Sequence, residues 1–461
     1  MRLKKIILSL VIILFSGEAY PQALKNPGRP QPGIRVPEML SRRSIRIPRQ
    51  AQGHAIACGL RLPAVSGGQS SICSGKDMKM CSLIPPQAAG NALDVGFSRF
   101  ISRLQSLPAP NRQALADSIL QAAAESGMPV LEDTLAHFLY SSDQAFEITL
   151  AGDFNGWDPS ADSLKPISGT DLFYLTKVFE RDARLDYKYV LDGQTWILDP
   201  LNPRVVRGGF GDNSELAMPG YQQPDEIRYF EAIPHGSIEG FTHHSPSLNN
   251  DRKVWVYLPP GYAEEPARRY PSLYVNDGGE YQSLADIRNV LDFLMNAGRI
   301  EDLIMVLVDP VDRMDEYACH SGFRHMLVQE LVPRIDSLYR TIRDPARRGV
   351  MGASLGGLAS VHAAWGCPDV FGLSASQSGA FWIHDGQIMR DVAAGPPRKV
   401  RFHLDWGRYE RQIRESNLEM LGVLQAAGCP VSSREYHEGH SWGSWRAHMD
   451  EILKYFFPAG E

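Results

Sequence analysis

The sequence predicts an α/β protein: a mostly parallel, buried sheet flanked by helices in the C-terminal half, preceded by a smaller antiparallel β-sandwich. Three observations predict this. Beyond Ser272, short continuous apolar runs (Ser272–Val275, Leu303–Val308, Gly349–Met351) alternate with helical segments, the pattern of strands covered on both faces. Between about Leu131 and Met218, period-two alternation is punctuated by turn residues, as in small antiparallel sheets. Thirdly, the Gly-flanked serine of Gly352-Ala353-Ser354-Leu355-Gly356 lies between an apolar run and a small-residue helical segment, a strand–turn–helix layout.

Taken in order, the chain opens with a basic Met1-Arg2-Leu3-Lys4-Lys5, an apolar run from Ile6 to Phe15 and small residues around Ala19. This is the layout of a secretory signal over residues 1–23, too short to span a bilayer stably, so a periplasmic or secreted protein is expected. Residues 24–96 are rich in Pro, Gly, Arg, Ser and Gln without periodicity, the composition of a poorly ordered leader. Of six cysteines, Cys58, Cys73 and Cys81 fall here and Cys319, Cys367 and Cys429 much later; none has metal or redox spacing. Residues 97–129 read as helical, with Asn111 as an N-cap and Gly127 as a C-cap. The net charge of −6 and pI near 6.1 leave no basic footprint for nucleic acid.

Residues 130–222 supply the expected sandwich. Phe146–Ala151, Phe173–Phe179 and Leu185–Leu191 alternate, and Asp192-Gly193 turns the chain toward Trp196-Ile197-Leu198. The series Gly152-Asp153-Phe154-Asn155-Gly156-Trp157, Tyr187-Lys188-Tyr189, Asp192-Gly193 and Asp199-Pro200 resembles the immunoglobulin-like early-set sandwich of glycogen-branching enzymes and of AMP-activated kinase. The resemblance implies a carbohydrate-binding-like module in which Trp157 and Trp196 would stack on sugar rings; filling the core is the competing reading.

After a Pro- and Gln-containing linker, residues 226–461 read as an α/β-hydrolase. Ser237–Phe241 and Arg252–Leu258 would start the sheet in antiparallel fashion. Helices are expected over Ala285–Asn296 and Phe323–Tyr339. A serine hydroxyl becomes nucleophilic only when a histidine takes its proton and a carboxylate orients the imidazole, and in this fold the order is serine, acid, histidine. The Gly-x-Ser-x-Gly pattern occurs twice, at Gly352–Gly356 and at Gly439–Gly443. Only after Ser354 does enough chain remain for two further strand-end loops, carrying Glu410 or Asp405 and then His440. Ser354 is therefore the expected nucleophile, and the second pattern the histidine loop. His437-Glu438-Gly439-His440 lacks the helical spacing of a metal site, and no metal or organic cofactor is implied.

In this region Pro259-Pro260-Gly261-Tyr262, Asn276-Asp277-Gly278-Gly279, Gly352–Gly357, Gly407-x-x-Glu410 and Glu438-Gly439-His440-x-Trp442 recur in the order found in enterochelin-esterase-like hydrolases. That group is similar to feruloyl and acetyl-xylan esterases. The resemblance implies Ser354 as nucleophile, His440 as base and Glu410 as acid, with Asp405 the alternative. It implies an oxyanion hole built from the N–H of Leu355 and that of Gly278 or Gly279. Glu280, Arg408 and Trp442 are the expected substrate contacts. The arginines before the elbow and after the acid strand would suit an anionic substrate if they line the cleft. The expected activity is hydrolysis of a carboxylic ester, either on a catecholate siderophore or as a feruloyl or acetyl group on polysaccharide. A ligand-binding protein with an idle hydrolase shell is the alternative from another class.

Overall fold

The computed structural model describes residues 96–460. The expected signal segment, nearly all of the leader and the three early cysteines lie outside the described residues. The first helix spans Phe97–Ser106 and the second Ala109–Ser126. The second begins two residues ahead of the expected Asn111 cap. Pro108 is its N-cap and Pro110 sits in its first turn, where a missing N–H costs nothing and φ is already suitable. Gly127 does end it, at φ 87°.

Ten strands follow: β1 (Val130–Glu132), β2 (Leu135–Ser141), β3 (Ile148–Gly152), β4 (Asp162–Ser163), β5 (Lys165–Pro166), β6 (Leu172–Val178), β7 (Arg184–Leu191), β8 (Thr195–Ile197), β9 (Val205–Val206) and β10 (Asn213–Ala217). They form two antiparallel sheets, β1-β2-β6-β5 and β4-β3-β7-β10-β9, with β8 paired to β7. One apolar core joins them: Phe138 of β2 meets Leu150 of β3, Tyr187 and Tyr189 of β7 and Leu216 of β10. The opposite face of the first sheet takes Phe97, Ile101, Leu104, Ile119 and Ala123 of the two helices onto Leu139 and Leu172. Each fully buried side chain of this size contributes about 1.5–3 kcal/mol.

The remaining eight strands, β11 (Ser237–Ser245), β12 (Asn250–Leu258), β13 (Ser272–Asn276), β14 (Ile304–Val308), β15 (Arg348–Ala353), β16 (Leu373–Gln377), β17 (Arg401–Gly407) and β18 (Val431–Tyr436), form one sheet in the order β11-β12-β14-β13-β15-β16-β17-β18. The first two run antiparallel and the rest parallel, as the sequence leads one to expect for an α/β-hydrolase-like fold. Both faces are apolar because alternate residues feed different cores. In β14, Ile304, Val306 and Val308 enter one and Met305 and Leu307 the other. The helix expected over Phe323–Tyr339 runs without a break from Ser321–His325 through a π-helical stretch at Met326–Leu331 into Val332–Leu338. Among the described residues no helix is long and apolar enough to cross a membrane.

Candidate active site

Parallel strands deliver their loops to one edge of the sheet, and the loops after β15, β16, β17 and β18 are joined there by hydrogen bonds of Ser354 with Ala380, Ser378 with Glu410, and Glu410 with His440. Ser354 follows β15 and is the N-cap of the helix Leu355–Gly366, with φ 56° and ψ −118°. Such a conformation is costly for a residue with a Cβ and persists only where the surroundings enforce it. Here the Ser354 N–H donates to Gln377 O at 2.8 Å and its carbonyl accepts from the Ala380 N–H at 3.0 Å. Strand and helix close around the turn because the glycines have no side chains. A Cβ on Gly352 would stand 2.6 Å from the Gly356 carbonyl carbon, and one on Gly357 would collide with Ser376 Oγ. The serine itself is 3% exposed.

His440 lies in the loop after β18, with its Nδ1 3.1 Å from Glu410 Oε1. Glu410 follows β17. Its Oε1 also accepts from Ser378 Oγ at 2.7 Å and its Oε2 from the Gly407 N–H at 3.1 Å. Ser378, just past β16 with φ 51°, accepts in turn from Trp445 Nε1 at 3.0 Å. The Trp445 ring stands edge-on to the imidazole, 4.8 Å between centroids. Asp405, the alternative acid, is buried within β17 and faces His403 Nε2 at 3.5 Å. Burial raises its pKa, against the pull of His403. Of the two carboxylates, Glu410 is the one hydrogen-bonded to His440.

Beside the elbow, where a Cβ on Gly356 would stand 3.0 Å from its carboxylate, Asp277 follows β13 at φ 57° and caps the short helix Gly278–Ser283. The Gly279 N–H donates to Asp309 Oδ1 at 2.7 Å and is thereby engaged away from the site. Gly278, first residue of that helix, is packed against the backbone of Leu307 and Val308. Arg313 clasps Asp277 through two bonds of 2.8 and 2.9 Å, and the Asp277 N–H donates to Tyr317 Oη. Glu280 stands half-buried beside this pair. Burial raises its pKa, and the charges of Asp277 and Asp309 push the same way.

The other expected substrate contacts are placed differently. Trp442 is 5% exposed, edge-on to Tyr281 and Trp445, so it is part of the packed wall. Arg408 faces Glu180 of the loop between β6 and β7 at 3.5 Å. Arg348 is bound to Asp336 and Arg414 to Glu435, while Arg347 pairs with Glu301, so these guanidiniums are already neutralised. Trp157 donates its ring N–H to Asp153 at 3.0 Å and is half-buried; Trp196 on β8 is 37% exposed. Sequence reasoning missed Ser378, Trp445 and Gln377. A second positive-φ serine after a buried strand leaves no local mark in the sequence.

Fold and side chains together define an α/β-hydrolase-like protein with a serine, a histidine and a carboxylate at the strand ends. Residues 245–456 match the protein family described as "Putative esterase". The iron(III) enterobactin esterase of Dickeya dadantii is 27% identical over 344 residues, covering 64% of this chain and 78% of that protein. An endo-1,4-β-xylanase/feruloyl esterase of Xylanibacter ruminicola is 26% identical over 53% of this chain and 34% of its own. The ferric enterobactin esterase of Salmonella typhimurium superposes with a TM-score of 0.64 at 22% identity, covering 73% of this chain and 98% of that one. The protein is a carboxylic ester hydrolase.

Proposed function

We propose that this chain hydrolyses esters through an acyl-serine intermediate, with Ser354 as nucleophile, His440 as base and Glu410 as the acid that orients the imidazole. The observation that carries this reading is the Nδ1···Oε1 contact of 3.1 Å between His440 and Glu410, with Ser354 on a strained strand-to-helix turn at the same sheet edge. With Nδ1 donating to Glu410, His440 Nε2 is left basic, takes the Ser354 proton as Oγ attacks the ester carbonyl, and returns it to the departing alkoxide. Water repeats the sequence to release the acid. The Leu355 N–H at the helix start and that of Gly278 would receive the oxyanion. Gly279 fits this role less well because Asp309 holds its N–H.

For the substrate we infer an ester of the enterobactin class, since relatives so named cover most of their own length in the match. The test offers iron-loaded enterobactin and follows dihydroxybenzoylserine release. Wild type should release it and Ser354→Ala should lose about 10³-fold or more. No release by wild type would rule out this substrate. A second reading, an aryl or acetyl ester on polysaccharide, is supported by the feruloyl esterase relative and by the sequence resemblance of Gly152–Trp157 and Tyr187–Tyr189 to early-set glycan modules. Feruloylated arabinoxylan offered in parallel decides between them. Retardation of the protein in a starch affinity gel would reveal glycan binding at Trp196. Export is part of the proposal, resting on Met1–Ala19; N-terminal sequencing of the mature protein from the periplasm or medium tests it.

A further inference from the structure

Gly439-His440-Ser441-Trp442-Gly443 repeats the elbow's pattern, yet only His440 has a part in the chemistry above. Its two glycines and its serine are taken up by the antiparallel sheets. A Cβ on Gly439 would run into the carboxylate of Asp153, which follows β3. A Cβ on Gly443 would run into the guanidinium of Arg184, the first residue of β7. Between them, Ser441 Oγ accepts from Arg184 Nη1 at 2.9 Å. The backbones join as well: the Arg184 N–H donates to His437 O at 3.1 Å, and Arg184 bridges to Glu438.

Arg184 is wholly buried and is itself fixed, by Asp186 at 2.7 Å and Glu215 at 3.0 Å. Asp153 is tied to the same strand through the Asp186 N–H at 2.7 Å. The loop is thus held at 437, 438, 439, 441 and 443, on both sides of His440, by one sheet that contributes nothing to the hydrolase sheet.

We propose that Arg184 and Asp153 are positioning residues for His440, so that the first residue of β7 and the turn after β3 belong to the frame of the active site. The inference rests on the Ser354–His440–Glu410 reading. A guanidinium suits the task because its rigid fork can reach two carboxylates and a hydroxyl in one plane, which the single ammonium of lysine cannot. Displacing a base by about 1 Å can cost about 10²-fold in rate.

The test uses the full chain, three single variants and one double variant. Arg184→Lys keeps the charge between Asp186 and Glu215 but loses the fork. Gly439→Ala forces the loop off Asp153. Leu150→Ala, in the core of the same two sheets, reports loss of stability alone. Each is assayed at a temperature where circular dichroism shows it fully folded, by p-nitrophenyl acetate turnover and by the rate of labelling with a fluorophosphonate. Arg184→Lys and Gly439→Ala should lower kcat and labelling by about 10–100-fold with KM within about twofold, and Asp153→Gly in the Gly439→Ala background should recover part of the loss. Leu150→Ala should leave kcat unchanged. Wild-type kcat in folded Arg184→Lys, or an equal fall in Leu150→Ala, overturns the proposal. A wild-type protein that neither turns over ester nor takes the label defeats the serine–histidine reading itself, and the positioning role with it.

Discussion

At Glu410 the two oxygens have different duties. Oε1 meets both His440 and Ser378, while Oε2 is pinned by the Gly407 N–H, so the carboxylate cannot rotate away from the imidazole. Glu410→Gln presents an amide to groups that need an acceptor and removes the charge that steadies the imidazolium. A drop of about 10²–10⁴ in kcat is expected, against less than about tenfold for Asp405→Asn, whose carboxylate faces His403. Equal losses in the two variants would refute the assignment. A second residue-scale prediction concerns Asp153, whose pKa burial and the Asp186 charge push up to about 7, with Arg184 pulling the other way. The unfolded chain would release that proton near 3.9. Between about 4 and 7 the folded state therefore holds a proton the unfolded state lacks, and this stabilisation is lost as pH rises through that window. The Tm of wild type should fall from pH 5 to 7.5 more steeply than that of Asp153→Asn. Parallel curves would show that Asp153 does not titrate there.

At the scale of elements, the contact of the helix Leu355–Gly366 with β16 is set by Gly357. Gly357→Ala would push against Ser376 Oγ and should destabilise by about 1–3 kcal/mol, read from urea unfolding. Adding Ser376→Ala should return most of that, and a double variant no better than the single one would contradict the packing argument. This is also the scale at which the sequence was most legible. Period-two runs marked the strands, and the count of strand-end loops after Ser354 separated the elbow from its second copy, because both signals are local and repeat along the chain. The roles of Ser378, Trp445 and Arg184 were not legible. Arg184 meets Ser441 across 257 positions, and nothing near either residue encodes that meeting. The motif by which the sequence resembles glycan modules includes Asp153 and Trp157. Their hydrogen bond to each other, with the Asp153 carboxylate against Gly439, turns that motif toward the histidine loop.

For the whole molecule, the contacts between the antiparallel sheets and the hydrolase sheet decide how it unfolds. Tyr409, one residue before Glu410, packs onto the core shared by β2, β3 and β7, and its hydroxyl donates to Glu180 at 2.5 Å. His437 faces Asp182 at 2.7 Å, and Arg184 lies buried between the two sets of strands. Separating them would leave the Arg184–Asp186–Glu215 set of β7 and β10 intact but would take Ser441 and His437 away from Arg184, Glu180 from Tyr409 and Asp182 from His437. Each such bond contributes about 0.5–1.5 kcal/mol and a buried partner left unpaired costs more, so together they are a large part of a typical net stability of about 5–15 kcal/mol. Residues 96–460 should therefore unfold in a single transition. Calorimetry should give one peak, and loss of ester turnover in urea should coincide with the change in tryptophan emission. Arg184→Met leaves Asp186 and Glu215 facing each other without a cation, so it should lower the midpoint and uncouple the two parts. Two peaks in the wild-type protein would mean that the antiparallel sheets hold together without the hydrolase, and that the buried cluster does not bind them into one unit.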